Sequence, residues 1–138
     1  MAGQEDKDRI ISRIRDGIAS LPSLRLAYLY GSYPSRHDFR DIDIAFLVSE
    51  QITDDERMAL ASHAKEILEN EFGFGYEFDV RILNDEPAWF QYEVIRNGIP
   101  FFIRNDDDRI DFETSVLVEY QDIKFMYDLF DNEYLAKA

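Results

Sequence analysis

The stretch Leu29-Tyr-Gly-Ser-Tyr-Pro-Ser-Arg-His-Asp-Phe-Arg-Asp-Ile-Asp-Ile-Ala-Phe-Leu-Val48 carries the fold and the chemistry of this chain. Leu24 to Tyr30 is a short apolar run rich in strand formers and stopped by Gly31, which predicts a buried strand. Ile42 to Val48 is a second run, too apolar for a sheet with one wet face, and therefore a central strand. Between them stand Gly31-Ser32 and a polar loop of eight residues. Gly31 lets the backbone approach a bulky anion, Ser32 offers a hydroxyl and a free amide, and Pro34 suits the start of a short helix whose amino end favours phosphate.

Asp41 and Asp43 lie two apart on an extended segment, so both carboxylates project from one face while Ile42 and Ile44 point into the core. Paired hard oxygens are what Mg²⁺ selects, with phosphate oxygens and water completing its octahedron. In-line phosphoryl displacement uses two metal ions ~3.5–4 Å apart, one on the leaving group and one on the attacking oxygen, and so needs a third carboxylate. Asp79 is the candidate, on the polar side of a run from Tyr76 to Leu83 that alternates with a period of two. Each part has a plainer reading: Gly-Ser is a common turn, and Asp-x-Asp is usually a solvated strand edge. Meeting strand, Gly-Ser, loop and Asp-x-Asp in that order is what makes the pattern specific.

Outward from this stretch, Ile10, Ile14, Ile18 and Leu21 recur at helical spacing ahead of Pro22, predicting a helix over roughly 5–20. Thr53 and Glu56 form a capping box for a helix running to about Glu71, ended by Gly73 and Gly75. Pro87 and Gly98 bracket a helix over 87–97, Pro100 to Arg104 forms a short extended piece, and a last helix covers about 111–135. Tyr28, Tyr30 and Trp89 read as core, His37 as an exposed loop residue, and His63 carries no function. The alternation gives an α/β (α+β) domain, a small mixed sheet flanked by helices, with no internal boundary over 1–138.

A chain of 138 residues with 46% hydrophobic side chains sustains its own core. No cysteine is present, which removes thiolate metal sites and cysteine nucleophiles and suits a cytoplasmic protein. The charged amino-terminal residues are unlike a secretion signal, and no apolar run is long enough to span a membrane. A net charge of −14 repels phosphate backbones, so direct nucleic-acid binding is not expected. Half of that charge lies in residues 106–138, where ten acids face three bases. The same segment carries Phe112, Val116, Tyr120, Ile123, Tyr127, Phe130 and Tyr134 on one helical stripe, widened by Phe125, Met126 and Leu129. The stripe reads either as a helix packed on the sheet or as a docking surface for a basic protein.

Taken together, Leu-Tyr-Gly-Ser, Asp-Ile-Asp-Ile-Ala, the strand carrying Asp79 and Val94-Ile-Arg-Asn-Gly-Ile-Pro-Phe resemble the nucleotidyltransferase superfamily of DNA polymerase β, over most of the chain. Within it the chain resembles the minimal nucleotidyltransferase (MNT) proteins, commonly antitoxins of HEPN/MNT toxin–antitoxin systems. The resemblance implies a nucleotidyltransferase fold with Gly31, Ser32 and Arg36 at the triphosphate of ATP, Asp41 and Asp43 on two Mg²⁺ ions, and Asp79 on the metal nearer the acceptor. It implies, too, a helical HEPN ribonuclease toxin as partner and AMP transfer to one of its tyrosines. The sequence departs from the family in its loop, which has eight residues where about ten are usual, and reads Arg36-His37 where the family has Arg and Gly. Three functions compete: a protein adenylyltransferase, an antitoxin that acts by binding with an idle site, and a small-molecule nucleotidyltransferase. The third is disfavoured, since 138 residues leave no second domain for a small-molecule pocket.

Overall fold

The computed structural model describes residues 2–31, 41–73 and 75–137, and the side chains within them from 7 to 132. Ser32, Pro34, Arg36 and His37 lie outside the described residues, as does the side chain of Tyr134. In chain order the elements are α1 (Ala2–Ile18), β1 (Leu24–Tyr30), β2 (Asp41–Val48), α2 (Asp54–Phe72), β3 (Glu77–Ile82), α3 (Ala88–Asn97), β4 (Ile99–Ile103) and α4 (Asp106–Lys137). The four strands form one mixed sheet in the order β3-β2-β1-β4. β1 pairs antiparallel with β2 and β4, while β2 and β3, joined through α2, run parallel.

Because strand side chains alternate, the sheet has two apolar faces and each is covered by two helices. On one face Ala27, Leu29, Ile44 and Phe46 pack with Ile14 and Ile18 of α1 and Leu68 of α2. On the other, Leu26, Tyr28 and Ala45 pack with Val94 and Phe90 of α3 and Phe112 of α4. β1 and β2 are thus buried on both sides, which explains their nearly continuous apolar sequences. The Thr53 capping box forms as its spacing predicts, with Thr53 Oγ1 accepting from Glu56 N and Glu56 Oε1 accepting from Thr53 N. Gly98 ends α3 where a side chain has no room: a Cβ there would lie 2.5 Å from the Val94 carbonyl oxygen and 2.8 Å from that of Leu29.

Three readings of the sequence need correction. The last helix begins at Asp106, not near Asp111. Asn105 Oδ1 accepts from Asp107 N, so an Asn cap is followed by three aspartates in a first turn where the helix dipole favours negative charge. β3 stops at Ile82, and Leu83–Asp85 form a 3₁₀ turn held by Asn84, whose side chain bonds both backbone groups of Val48. Trp89 is 65% exposed instead of core. α3 turns Ala88, Gln91 and Val94 toward the sheet, and Trp89, one step round the helix, meets Phe90 edge-on.

α4 itself divides in two. Its first part is anchored where the buried Tyr28 hydroxyl donates to Glu113 Oε1 at 2.9 Å, where Val116 is buried, and where Tyr120 stacks on Tyr92 at 3.8 Å between ring centres. From 121 to 132 every residue is exposed.

Candidate functional site

The parallel register of β2 and β3 sets Asp43 opposite Asp79 and Asp41 opposite Glu77. Residues paired across neighbouring strands project to the same face, so Asp43 and Asp79 stand side by side although 35 residues separate them in sequence. Together they line a cleft of about 520 Å³ at the amino ends of the two strands, with Lys65 and Glu69 of α2 on its wall. β1 ends beside them: Tyr30 pairs with Asp43, and Gly31 follows at φ +72°. A Cβ at Gly31 would lie 2.6 Å from Asp43 Oδ2, so this backbone position both needs a left-handed conformation and leaves the carboxylate its room.

The electrostatics follow from this crowding. Burial, then the neighbouring Asp79 and Asp41 charges, hold the Asp43 carboxyl above the usual aspartate range, while Arg81 opposes them. Arg81, two residues beyond Asp79 and on the same face, reaches Asp79 Oδ2 at 3.5 Å and Glu86 Oε1 at 4.0 Å, with its guanidinium 5.3 Å from the centre of the Phe90 ring. Burial raises the Tyr30 hydroxyl above its ordinary range, outweighing the pull of Arg81 and reinforced by Asp43, Asp79 and Glu86. Its ring meets Phe90 edge-on at 5.5 Å.

Among the described residues no three acidic or histidine side chains already stand close enough to cage a metal ion. Asp79 is instead paired with Arg81 at 3.5 Å. The donor set still fits a hard divalent cation, because Mg²⁺ takes only one or two carboxylates directly and completes its shell with phosphate and water oxygens. The glycine beside Asp43 leaves that carboxylate open for such a role. A second cleft, about 420 Å³, opens at the far end of β2 around Arg25, Asn84 and Asp108, away from these carboxylates.

Of the residues singled out in the sequence, Gly31, Asp41, Asp43 and Asp79 are therefore brought together. The sequence reading missed Arg81, Glu77, Lys65 and Glu69. Arg81 was within reach, since it shares the two-residue period of Asp79. Lys65 and Glu69 were not, because only the packing of α2 on the sheet brings them to the cleft.

Comparison with known proteins shows the family and the fold. The family described as "Polymerase beta, Nucleotidyltransferase" matches residues 12–107. The protein adenylyltransferase MntA of Shewanella oneidensis is 28% identical over 123 residues, covering 88% of this chain and 81% of the relative. The solved structure of the tri-AMPylated Shewanella oneidensis HEPN toxin in complex with its MNT antitoxin superposes with a TM-score of 0.59 at 24% identity, covering 96% of this chain and 98% of that one. A toxin–antitoxin structure with AMP-PNP gives a TM-score of 0.61 at 24% identity over 94% of this chain and 98% of the other. At these identities the structures speak for the fold. No helix among the described residues is long and apolar enough to cross a membrane. With a match over residues 12–107 and a four-stranded mixed sheet flanked by helices, the chain belongs to the polymerase β nucleotidyltransferase family.

Proposed function

We propose that this chain is a single-domain, cytoplasmic, Mg²⁺-dependent protein adenylyltransferase, an antitoxin that transfers AMP from ATP to a tyrosine hydroxyl of a cognate HEPN toxin. The observation that carries the reading is the side-by-side register of Asp43 and Asp79 next to Gly31. The relatives support it: one is called a protein adenylyltransferase, and another structure holds a HEPN toxin bearing AMP.

In this reading Gly31 and Ser32 would hold the triphosphate, with Arg36 as a further phosphate-binding candidate, and Asp41 and Asp43 would hold both metal ions. When bound, Mg²⁺ offsets the triphosphate charge and makes the acceptor hydroxyl more acidic. Asp79 would share the metal nearer the acceptor and receive the hydroxyl proton. The acceptor oxygen then forms a bond to the α-phosphorus, the bond from that phosphorus to the bridging oxygen breaks, and pyrophosphate leaves. Tyr30, paired with Asp43 and shifted further above the ordinary tyrosine range by burial, does not compete as a base.

The test is incubation of the toxin with this chain, ATP and Mg²⁺, followed by intact-mass measurement. Addition of AMP to the toxin is expected. A stable complex with no mass increase would favour neutralisation by binding alone, a reading that the exposed apolar end of α4 also accommodates.

A further inference from the structure

The exposed part of α4 is apolar on two opposite sides. Ile123, Tyr127 and Phe130 continue the line of Phe112, Val116 and Tyr120, the line that faces the domain earlier in the helix. They are 39%, 67% and 65% exposed and, with Met126, border an apolar hollow of about 510 Å³. Val118, Phe125 and Leu129 form a second line, spaced seven and then four residues apart, with Asp122 standing on the same line between the first two. At ~100° per residue it lies about 200–240° round the helix from Ile123. These three are 57%, 64% and 48% exposed. A helix that packs on one surface needs a single stripe, whereas two opposed stripes belong to a helix with neighbours on both sides. Spacings of four and seven are those at which one helix seats side chains into another.

Charge narrows the occupant. In residues 121–132, Asp128 and Asp131 lie between the stripes and Asp122 at the edge of the second, against Lys124 alone, and the whole chain carries −14. A second copy would set acid against acid, so the complementary surface is basic at its rim.

We propose that the distal part of α4 is gripped from two sides, entering its partner as an inner helix between two apolar helices whose flanks carry basic residues. The inference rests on the toxin-binding reading above and adds how the partner is held. Among the described residues the domain buries only the first part of this continuous helix, so the partner supplies the packing that the distal part lacks.

The test compares two paired variants of the full chain, F125A/L129A on one side and Y127A/F130A on the other, for affinity to the HEPN toxin by calorimetry. All four side chains are solvent-exposed here, so the melting temperature of the free domain should hold in both variants. Each pair is expected to weaken binding by about 30-fold or more, the scale of lost aromatic and aliphatic anchors. Binding by F125A/L129A within about twofold of wild type, with Y127A/F130A impaired, would overturn the two-sided grip and leave the toxin reading standing. No binding by wild type would overturn both. Sedimentation of the chain alone guards the choice of occupant: a dimer at micromolar concentration that either pair dissolves would assign the surface to a second copy and overturn the proposal.

Discussion

β2 and the end of α4 are both rows of large apolar side chains, and they meet opposite fates. In β2, Ile42, Ile44, Phe46 and Val48 are at most 2% exposed. In α4, Ile123, Phe125, Tyr127 and Phe130 are between 39% and 67% exposed. β2 lies between two strands, with helices on both faces, while the distal part of α4 extends beyond everything that contacts its first turns. Periodicity states which side chains share a face; only long-range packing states whether that face is covered. The covered row positions the candidate catalytic carboxylates, and the uncovered one is suited to a partner.

The sharpest separation of the two regions is Asp43→Asn. Transfer to the toxin should fall by about 10⁴-fold, since a metal-binding charge is removed without a change of shape, while toxin affinity stays at the wild-type level. Wild-type transfer by this variant in an intact-mass time course would end the proposed mechanism. Next in size is a contrast in stability. Phe46→Ala should cost about 3–5 kcal/mol in urea unfolding, the range for a fully buried aromatic, whereas Phe130→Ala should stay within ~0.5 kcal/mol. Equal losses would mean that the end of α4 is core after all.

Binding of nucleotide with Mg²⁺ at the β2 site should stabilise the folded domain by ~2.7 kcal/mol at a hundredfold excess over Kd, and equally in wild type and Y127A/F130A. A thermal-shift assay in which millimolar Mg-ATP leaves the melting temperature unchanged would point to an idle site. Gly31→Ala should cost ~1–2 kcal/mol, because alanine resists the positive φ, and should weaken nucleotide binding as its methyl meets Asp43.

The smallest effect is in pH. Asp43 has a folded pKa above that of the unfolded chain. Between the two values the folded state holds more proton, so this group's contribution to stability falls as pH rises through that window and remains a cost above it. The metal-free Asp43→Asn variant should therefore melt higher than wild type at neutral pH, with the difference vanishing in acid below both values. A wild type that outlasts the variant at neutral pH without metal would show that Asp43 is stabilised by its neighbours, contrary to the crowding described above.

Several features were legible without coordinates because their causes are local. The Thr53 and Glu56 cap follows from side chains three residues apart, the limits of β1 from a glycine that must turn, and the shared face of Asp41 and Asp43 from strand geometry. The start of α4 was local too, and was missed because Asn105 with three aspartates reads as polar loop until the dipole of the turn it opens is considered. Trp89 failed for another reason: hydrophobicity argues for burial, but the helix turns Gln91 inward beside Ala88 and Val94.

By itself the sequence determined the elements, the pairing of two carboxylates on one strand and the apolar stripe of the last helix, since each depends on neighbours within a turn or a strand. Tertiary structure decided that β3 lies parallel to β2 in the one register that puts Asp79 beside Asp43, that Arg81 answers their charge, and that the helix stripe is covered only as far as Tyr120. These depend on the closure of α2 over the sheet and on where the domain's surface ends, contacts between residues far apart in the chain that no local spacing encodes.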